Sequence, residues 1–285
     1  MIRLITWNVA RRTTRLVDQA TALAEREPDV VALQEVTRKT LPLWRHAFEL
    51  MGLSHVRASA VNGDATGRAS ARGMVVMIAS RVAVEKVDHP LPVPRRESAL
   101  SVLALASSGP LEVHCVHVPN AANGWVKVET LEALRRGLRT PCRAPRVLCG
   151  DLNTPRRELP EGTTLSFACD SRGRLRPDRG PEWDAAELGV VPGLRDLGYR
   201  DAYRTLHGYQ SRSPSWTWKT IAGHNGGWRL DHTFISPHLL PRACHYHHEW
   251  REHGLSDHSA LETDLEPQLA GTNHATTHAD TATDI

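Results

Sequence analysis

What most constrains this chain is a recurrence of short apolar runs, rich in Val, Ile and Leu. Residues 2–7, 30–33, 74–79, 99–106, 111–118, 147–149 and 230–235 are each bounded by polar residues, Gly or Pro. Runs of that length between such breaks read as buried strands. Between the first two, 14–27 sets Leu16, Val17, Ala20, Leu23 and Ala24 at helical spacing, with Thr13 or Thr14 as N-cap and Pro28 as the stop. Residues 126–138 repeat the helical pattern, and 183–197 do so with breaks at Gly189 and Pro192. Strand followed by helix favours parallel pairing, whereas the runs from 74 to 118, with no helix between them, favour antiparallel pairing. A mixed α+β sandwich follows.

The chain has 285 residues, enough for one sizeable core, and 1–266 is read as one catalytic domain. Residues 267–285, without apolar periodicity, are read as a disordered tail, and 62–73 and 170–181 as exposed loops. A hydrophobic fraction of 40% and a charged fraction of 24% exclude a fibrous or wholly disordered chain. No apolar run reaches bilayer length, and the start, MIRLITWNVA, lacks a secretory pattern, so the expected location is cytoplasmic. A net charge of +3 permits a polyanionic partner without requiring one. Five cysteines with no CxxC pair point to reduced, mostly buried thiols. His245, His247, His248 and His253 lack a paired ligand set and read as mostly solvated.

Several of the strands end in residues suited to metal or phosphate: Asn8, Glu35, Asp151 with Asn153, and Asp231. Strand ends hold such groups rigidly while loops leave room for a ligand. Asp151 and Asn153, two apart in an extended segment, project to one side. A hard dication, Mg²⁺ or Mn²⁺, takes oxygen ligands, with Glu35 as the main ligand and Asn8 and Asp257 as helpers. Hydrolysis of a phosphodiester also needs an activated water, and His258 oriented by Asp231 suits that task. Taken singly, each residue reads equally well as a turn or a helix cap. Together they favour chemistry. Arg11 and Arg12 are candidate phosphate contacts against a solvated-loop alternative, and Trp216 is either core or substrate-facing.

The ordered series T-W-N, L-Q-E-V, V-P-N, G-D-L-N-T-P, S-W-T-W, G-W-R-L-D-H and L-S-D-H-S-A, spread over roughly 1–264, resembles the endonuclease/exonuclease/phosphatase superfamily. The resemblance implies a four-layer αββα sandwich of two packed mixed β-sheets flanked by helices, with the site at one edge. It also implies that Asn8 and Glu35 are metal-side residues and that Asp151 and Asn153 orient nucleophile and phosphate. Asp257 lies in the Ser-Asp-His motif, and Asn120 and Trp216 fall in substrate-binding motifs. His258, held by Asp231, resembles the phosphate-contacting or base histidine, and the base is left between Asp151 and His258. The chain departs from the abasic-site branch in having His117 where that branch has tyrosine, a residue that resembles the DNase I and phosphatase branches and can protonate the leaving oxygen. Ser215 and Ala10 also depart from that branch, which argues against abasic-site specificity.

The resulting expectation is a Mg²⁺- or Mn²⁺-dependent nuclease acting on DNA or RNA. A phosphatase or phospholipase-like esterase acting on a small or lipid phosphate is the alternative, since one fold serves both. A non-catalytic binding module is the third reading, disfavoured because every expected acid, amide and histidine is present.

Overall fold

A computed structural model describes residues 1–59, 73–141, 144–219 and 225–268. Its first half runs β1 (Ile2–Asn8), α1 (Leu16–Ala24), β2 (Val30–Thr37), α2 (Leu41–Leu50), β3 (His55–Ala58), β4 (Met74–Ser80), β5 (Val84–Lys86), β6 (Ala99–Ala106), β7 (Gly109–His117) and α3 (Val126–Leu138). The second half runs β8 (Arg146–Asp151), β9 (Arg157–Glu158), β10 (Thr164–Leu165), α4 (Gly180–Leu188), β11 (Arg200–Asp201) and α5 (Ala202–His207). It ends with β12 (Trp216–Lys219), β13 (Asn225–Trp228), β14 (Asp231–Ile235), β15 (Leu239–His247), α6 (His248–Glu252) and β16 (Ala260–Pro267).

One six-stranded sheet has the order β15-β16-β1-β2-β4-β3 and the other β11-β14-β8-β7-β6-β5. The pairs β1/β2 and β7/β8 are parallel within otherwise antiparallel sheets. Alternation along the strands builds the layers. Leu4, Val30, Ala32, Val76 and Ile78 of the first sheet pack in one cluster with Val113, Cys115, Val147 and Ile235 of the second. Their neighbours Ile5, Val31 and Leu33 point outward onto Leu23 of α1 and Trp44 and Phe48 of α2. On the far side Val116, Leu148 and Phe234 meet Leu131 and Leu134 of α3 and Trp183 of α4. The four-layer sandwich is the expected architecture.

The differences are local. The α1 N-cap is Arg15, with no side-chain cap, rather than Thr13 or Thr14. The third expected helix divides into α4 and a short 3₁₀ turn at Gly193–Leu197. Helix α2 arises where no element was expected, because its Pro sits in the first turn, where a missing N–H costs little. β15 and β16 were likewise not foreseen. β16 carries Glu262 and Asp264 through the sheet, their charges met by Arg3, Arg26 and His247. Cys115, Cys149, Cys169 and Cys244 are free and buried, as expected, and Cys142 lies outside the described residues. So do most of the 62–73 loop and the 267–285 tail. Residues 170–181 are largely exposed. No described helix is long and apolar enough to cross a membrane.

Candidate active site

Parallel register brings β1 and β2 to the same sheet edge, with Asn8 beside Gln34. A register shift between Leu33 and Val36 leaves Gln34 and Glu35 in a bulge. Bulges re-aim side chains. Gln34 turns inward to donate to Thr6 Oγ1 at 2.9 Å, and Glu35, at φ +58°, turns toward the facing sheet. There β8 ends at Asp151, between His117 of β7 and Asp231 of β14. Close approach of β8 to β7 explains Gly150. A Cβ there would lie 2.0 Å from the Val116 carbonyl oxygen, at φ +131°. Four of the five described non-glycine residues with positive φ (Ala10, Arg11, Glu35 and Asn153) gather at this edge. Such clustering of backbone strain marks functional sites.

The two sheets meet through Asn8, which is buried. Its Nδ2 donates to Asp151 Oδ2 at 3.1 Å and approaches Glu35 Oε1 at 3.4 Å. His117 Nε2 lies 3.7 Å from Glu35 and 3.8 Å from Asp151. Asp151 also accepts from the Asn153 backbone N–H at 2.9 Å, while Asn153 Nδ2 donates to Val118 O at 2.8 Å. His258 Nδ1 pairs with Asp231 Oδ2 at 2.7 Å, leaving Nε2 3.8 Å from Asp151. Trp7 Nε1 donates to the His258 carbonyl, and Ser256 Oγ donates to the Asn8 carbonyl and accepts from the His258 N–H.

Burial pushes the Asp151 carboxyl above the usual carboxylate range and the Asp231 charge adds to this, against the nearby His258 and His117. For His258, burial works against the imidazolium, but Asp231 and Asp151 outweigh it and push the ring up to about 10. Burial likewise opposes the Asp231 charge, and His258 more than compensates, holding it below the usual range. The edge therefore carries a buried imidazolium–carboxylate pair beside a carboxyl poised to take a proton.

Asp151, Asp231 and His258 also lie close enough for one ion, their ligand atoms within 4.8 Å of one another. The His258 Nδ1–Asp231 Oδ2 hydrogen bond takes up one ring nitrogen and one carboxylate oxygen of that set and leaves the buried Asp231 Oδ1 without a hydrogen-bond partner. Glu35 fits a hard cation better, because it is partly open and borders the neutral Asn8 amide, with Arg11 Nε at 3.0 Å and His117 Nε2 at 3.7 Å as its ion-pair partners among the described residues. Asp257 is exposed and makes no hydrogen bond or ion pair to Asn8 or Glu35 among the described residues. Its charge acts on the neighbouring His258, where it favours the imidazolium. Arg12 is exposed, Asn120 lies at the mouth of the Glu35–His117 cleft, and Trp216 is half-buried, stacked on Trp228 with ring centroids 5.1 Å apart. Trp216 also bridges His258 through its main chain.

Two features were not legible beforehand. A cleft of about 210 Å³ beside Glu35 and His117 is lined by Arg95, Asn120 and Asn123, joined by Arg95 Nη1 to Asn123 Oδ1 at 3.4 Å and Asn123 Nδ2 to Asn120 Oδ1 at 2.8 Å. Behind the Asp151–Asn153 segment, fully buried Lys127 donates to the Asn153 carbonyl at 2.8 Å and to Glu187 at 2.7 Å. Glu187 further accepts from Thr154 Oγ1, the Phe167 N–H and Trp183 Nε1. A lysine on the inner face of an amphipathic helix was the available signal. The histidines of β15 and α6 are corrected too. His247 is buried, between Glu249 and Glu262 at 2.8 and 2.9 Å, and His248 bonds Ser213 and Ser259, whereas His253 is exposed. His245, His247 and Glu262 cluster within 4.8 Å, but Glu262 is already held by Arg26 and Arg3.

A stretch of 135 residues is 29% identical to the DNA repair nuclease APEX1 of Danio rerio, covering 45% of this chain and 40% of that relative. The chain thus spans less than half the length of this curated relative. Among solved structures, an AP endonuclease from Archaeoglobus fulgidus superposes with a TM-score of 0.65 at 21% identity, over 93% of this chain and 100% of the other. A 3' phosphatase from Neisseria bound to product DNA hairpin gives 0.63 at 23% identity, over 93% and 100%. These likenesses show the fold. The profile of the Endonuclease/Exonuclease/phosphatase family matches residues 5–258, and on that match the chain belongs to this family.

Proposed function

We propose that the protein is a divalent-metal-dependent nuclease hydrolysing phosphodiester bonds of DNA or RNA. The observation that carries this reading is the convergence of Glu35, Asn8 and Asp151, from two sheets, beside a buried His258–Asp231 pair. Glu35, aided by Asn8, would hold Mg²⁺ or Mn²⁺, which supplies charge to offset the negative transition state. Asp151 accepts the proton of the attacking water, its carboxyl already raised by burial. Asn153 steadies Asp151 through its backbone N–H. His258, kept cationic and oriented by Asp231, binds a phosphate oxygen rather than acting as the base, and His117 protonates the leaving oxygen.

The nucleic-acid choice over a small phosphoester is supported by the relatives, a DNA repair nuclease and a DNA-bound phosphatase, and by the mildly basic balance. Residues 1–266 are proposed to act as one catalytic domain, and the protein to work in the cytoplasm. A turnover panel at neutral pH tests the reading, with single-stranded and duplex DNA, RNA, a generic phosphodiester and phosphomonoesters, each with Mg²⁺, Mn²⁺ or chelator. Polynucleotide cleavage that chelator abolishes is the expected result. Hydrolysis confined to the small phosphoesters would move the protein to the phosphatase reading.

A further inference from the structure

We propose that a cavity beside the reaction centre is a subsite for a nucleotide flanking the scissile phosphate, with its backbone phosphate held by Arg156, Arg157 and Arg212. The proposal rests on the nucleic-acid reading above and extends it from the bond broken to the neighbouring unit. The cavity, of about 490 Å³, opens where the Asp151–Asn153 segment runs into Pro155 and Arg156, and its far wall is the β12–β13 hairpin at Thr217 and Trp228. That volume falls within the range of pockets that enclose small ligands. The hairpin reaches back to the centre, because Trp228 stacks on Trp216, whose main chain bridges His258.

Charge in the cavity is unevenly committed. Among its lining arginines, Arg204 and Arg229 are fixed to Glu158 at 2.7 Å, and Arg229 also to Asp201 at 2.6 Å. These form a neutralised floor. Arg156 spends one N–H on the Cys169 carbonyl at 3.3 Å, and neither Arg157 nor Arg212 has a carboxylate partner among the described residues. Both are exposed. Uncommitted guanidinium groups above a neutralised floor, with Pro155, Leu165, Pro214 and Trp228 as apolar walls, suit an anion carried on a partly apolar body. A nucleotide is such a body.

The test measures binding and turnover separately. Fluorescence anisotropy of a labelled DNA oligonucleotide, with chelator present to prevent cleavage, compares the wild type with Arg157→Ala/Arg212→Ala. The control is Arg139→Ala, an exposed arginine outside the cavity. The double variant is expected to bind roughly tenfold more weakly, with a log–log salt slope smaller by about one to two, and the control to bind as the wild type does. Hydrolysis of a small phosphodiester is expected to be unchanged in the double variant. Wild-type-like affinity and salt slope in the double variant would overturn the subsite, as would a wild type that does not bind the oligonucleotide. If the wild type cleaves DNA while the double variant binds normally, the subsite fails and the nuclease reading stands. If the arginines are needed for binding but only small phosphoesters are cleaved, the nuclease reading fails and the subsite fails with it, leaving the arginines as a polynucleotide-binding site with no bond to cleave beside it.

Discussion

Glu35 sits in a β-bulge at positive φ, with a half-open carboxylate between Asn8 and Arg11. Among the described residues the partners of that carboxylate, Asn8, Arg11 and His117, all lie at the site edge, so Glu35→Ala should leave the melting temperature within a few degrees of wild type while lowering kcat by about a hundredfold or more. Comparing thermal melts with initial rates checks both halves. Asp231 differs, since its carboxylate is buried and bound to His258. Asp231→Asn should lower kcat by about 10²- to 10⁴-fold with a smaller change in KM, because the ring loses its charge partner before it loses its place. Unchanged kcat in that variant would remove His258 from the chemistry. At this scale most of the cluster was legible, because the motif residues Asn8, Glu35, Asp151, Asn153, Asp231 and His258 converge. The metal role expected of Asp257 rests on its motif alone, since a residue's position in a motif does not say on which side of a loop its side chain emerges. The pairing of Arg11 with Glu35 depends on the turn after β1, whose positive φ values at Ala10 and Arg11 carry no glycine signal.

Elements hold these residues in register through a few buried contacts. Lys127 of α3 ties the Asn153 carbonyl to Glu187 of α4. Lys127→Met leaves Glu187 a buried, unpaired charge and should cost about 3 to 5 kcal/mol, measured by denaturant unfolding. Adding Glu187→Leu removes the stranded charge and should restore much of that stability. The double variant should still turn over more slowly than wild type, because the loop carrying Asn153 is no longer pinned. Gly150→Ala forces a Cβ into the Val116 carbonyl at a φ that L-residues avoid, and should prevent the native fold or lower its melting temperature steeply. The strands β1, β2, β4, β6 and β7 could be read from their apolar runs. β16 could not, because its charges are neutralised by arginines and a histidine from elsewhere in the chain. α2 escaped for a different reason, since Pro42 in its first turn reads as a break in the sequence.

Across the whole molecule, a buried network joins Glu158 of β9, Asp201 of β11, Arg204 of α5 and Arg229 before β14. Burial opposes the Glu158 charge, but Arg229 and Arg204 outweigh it and lower its pKa from the ordinary 4.5 to about 2. A folded pKa below the unfolded one gives stability that is present above about pH 4.5 and is lost as pH falls toward 2. Glu158→Gln should cost about 3 kcal/mol at neutral pH and flatten the acid limb of stability across that window, as read by denaturant melts at stepped pH. The sandwich itself was foreseeable, since alternating apolar faces on many short strands need two packed sheets. Which distant charges would meet inside it was not.

In the proposed reaction Asp151, set between the two sheets, takes the proton from water in a metal-assisted cleavage of a phosphodiester. The most direct measurement is the Mg²⁺-dependent rate of DNA hydrolysis at neutral pH for wild type and for the isosteric Asp151→Asn, with thermal melts alongside. Chelator-sensitive turnover in the wild type is expected, with a fall in kcat of about 10²-fold or more in the variant and closely similar melting temperatures. A variant that cleaves DNA within a few-fold of wild type, or a wild type indifferent to chelator, would contradict the proposal.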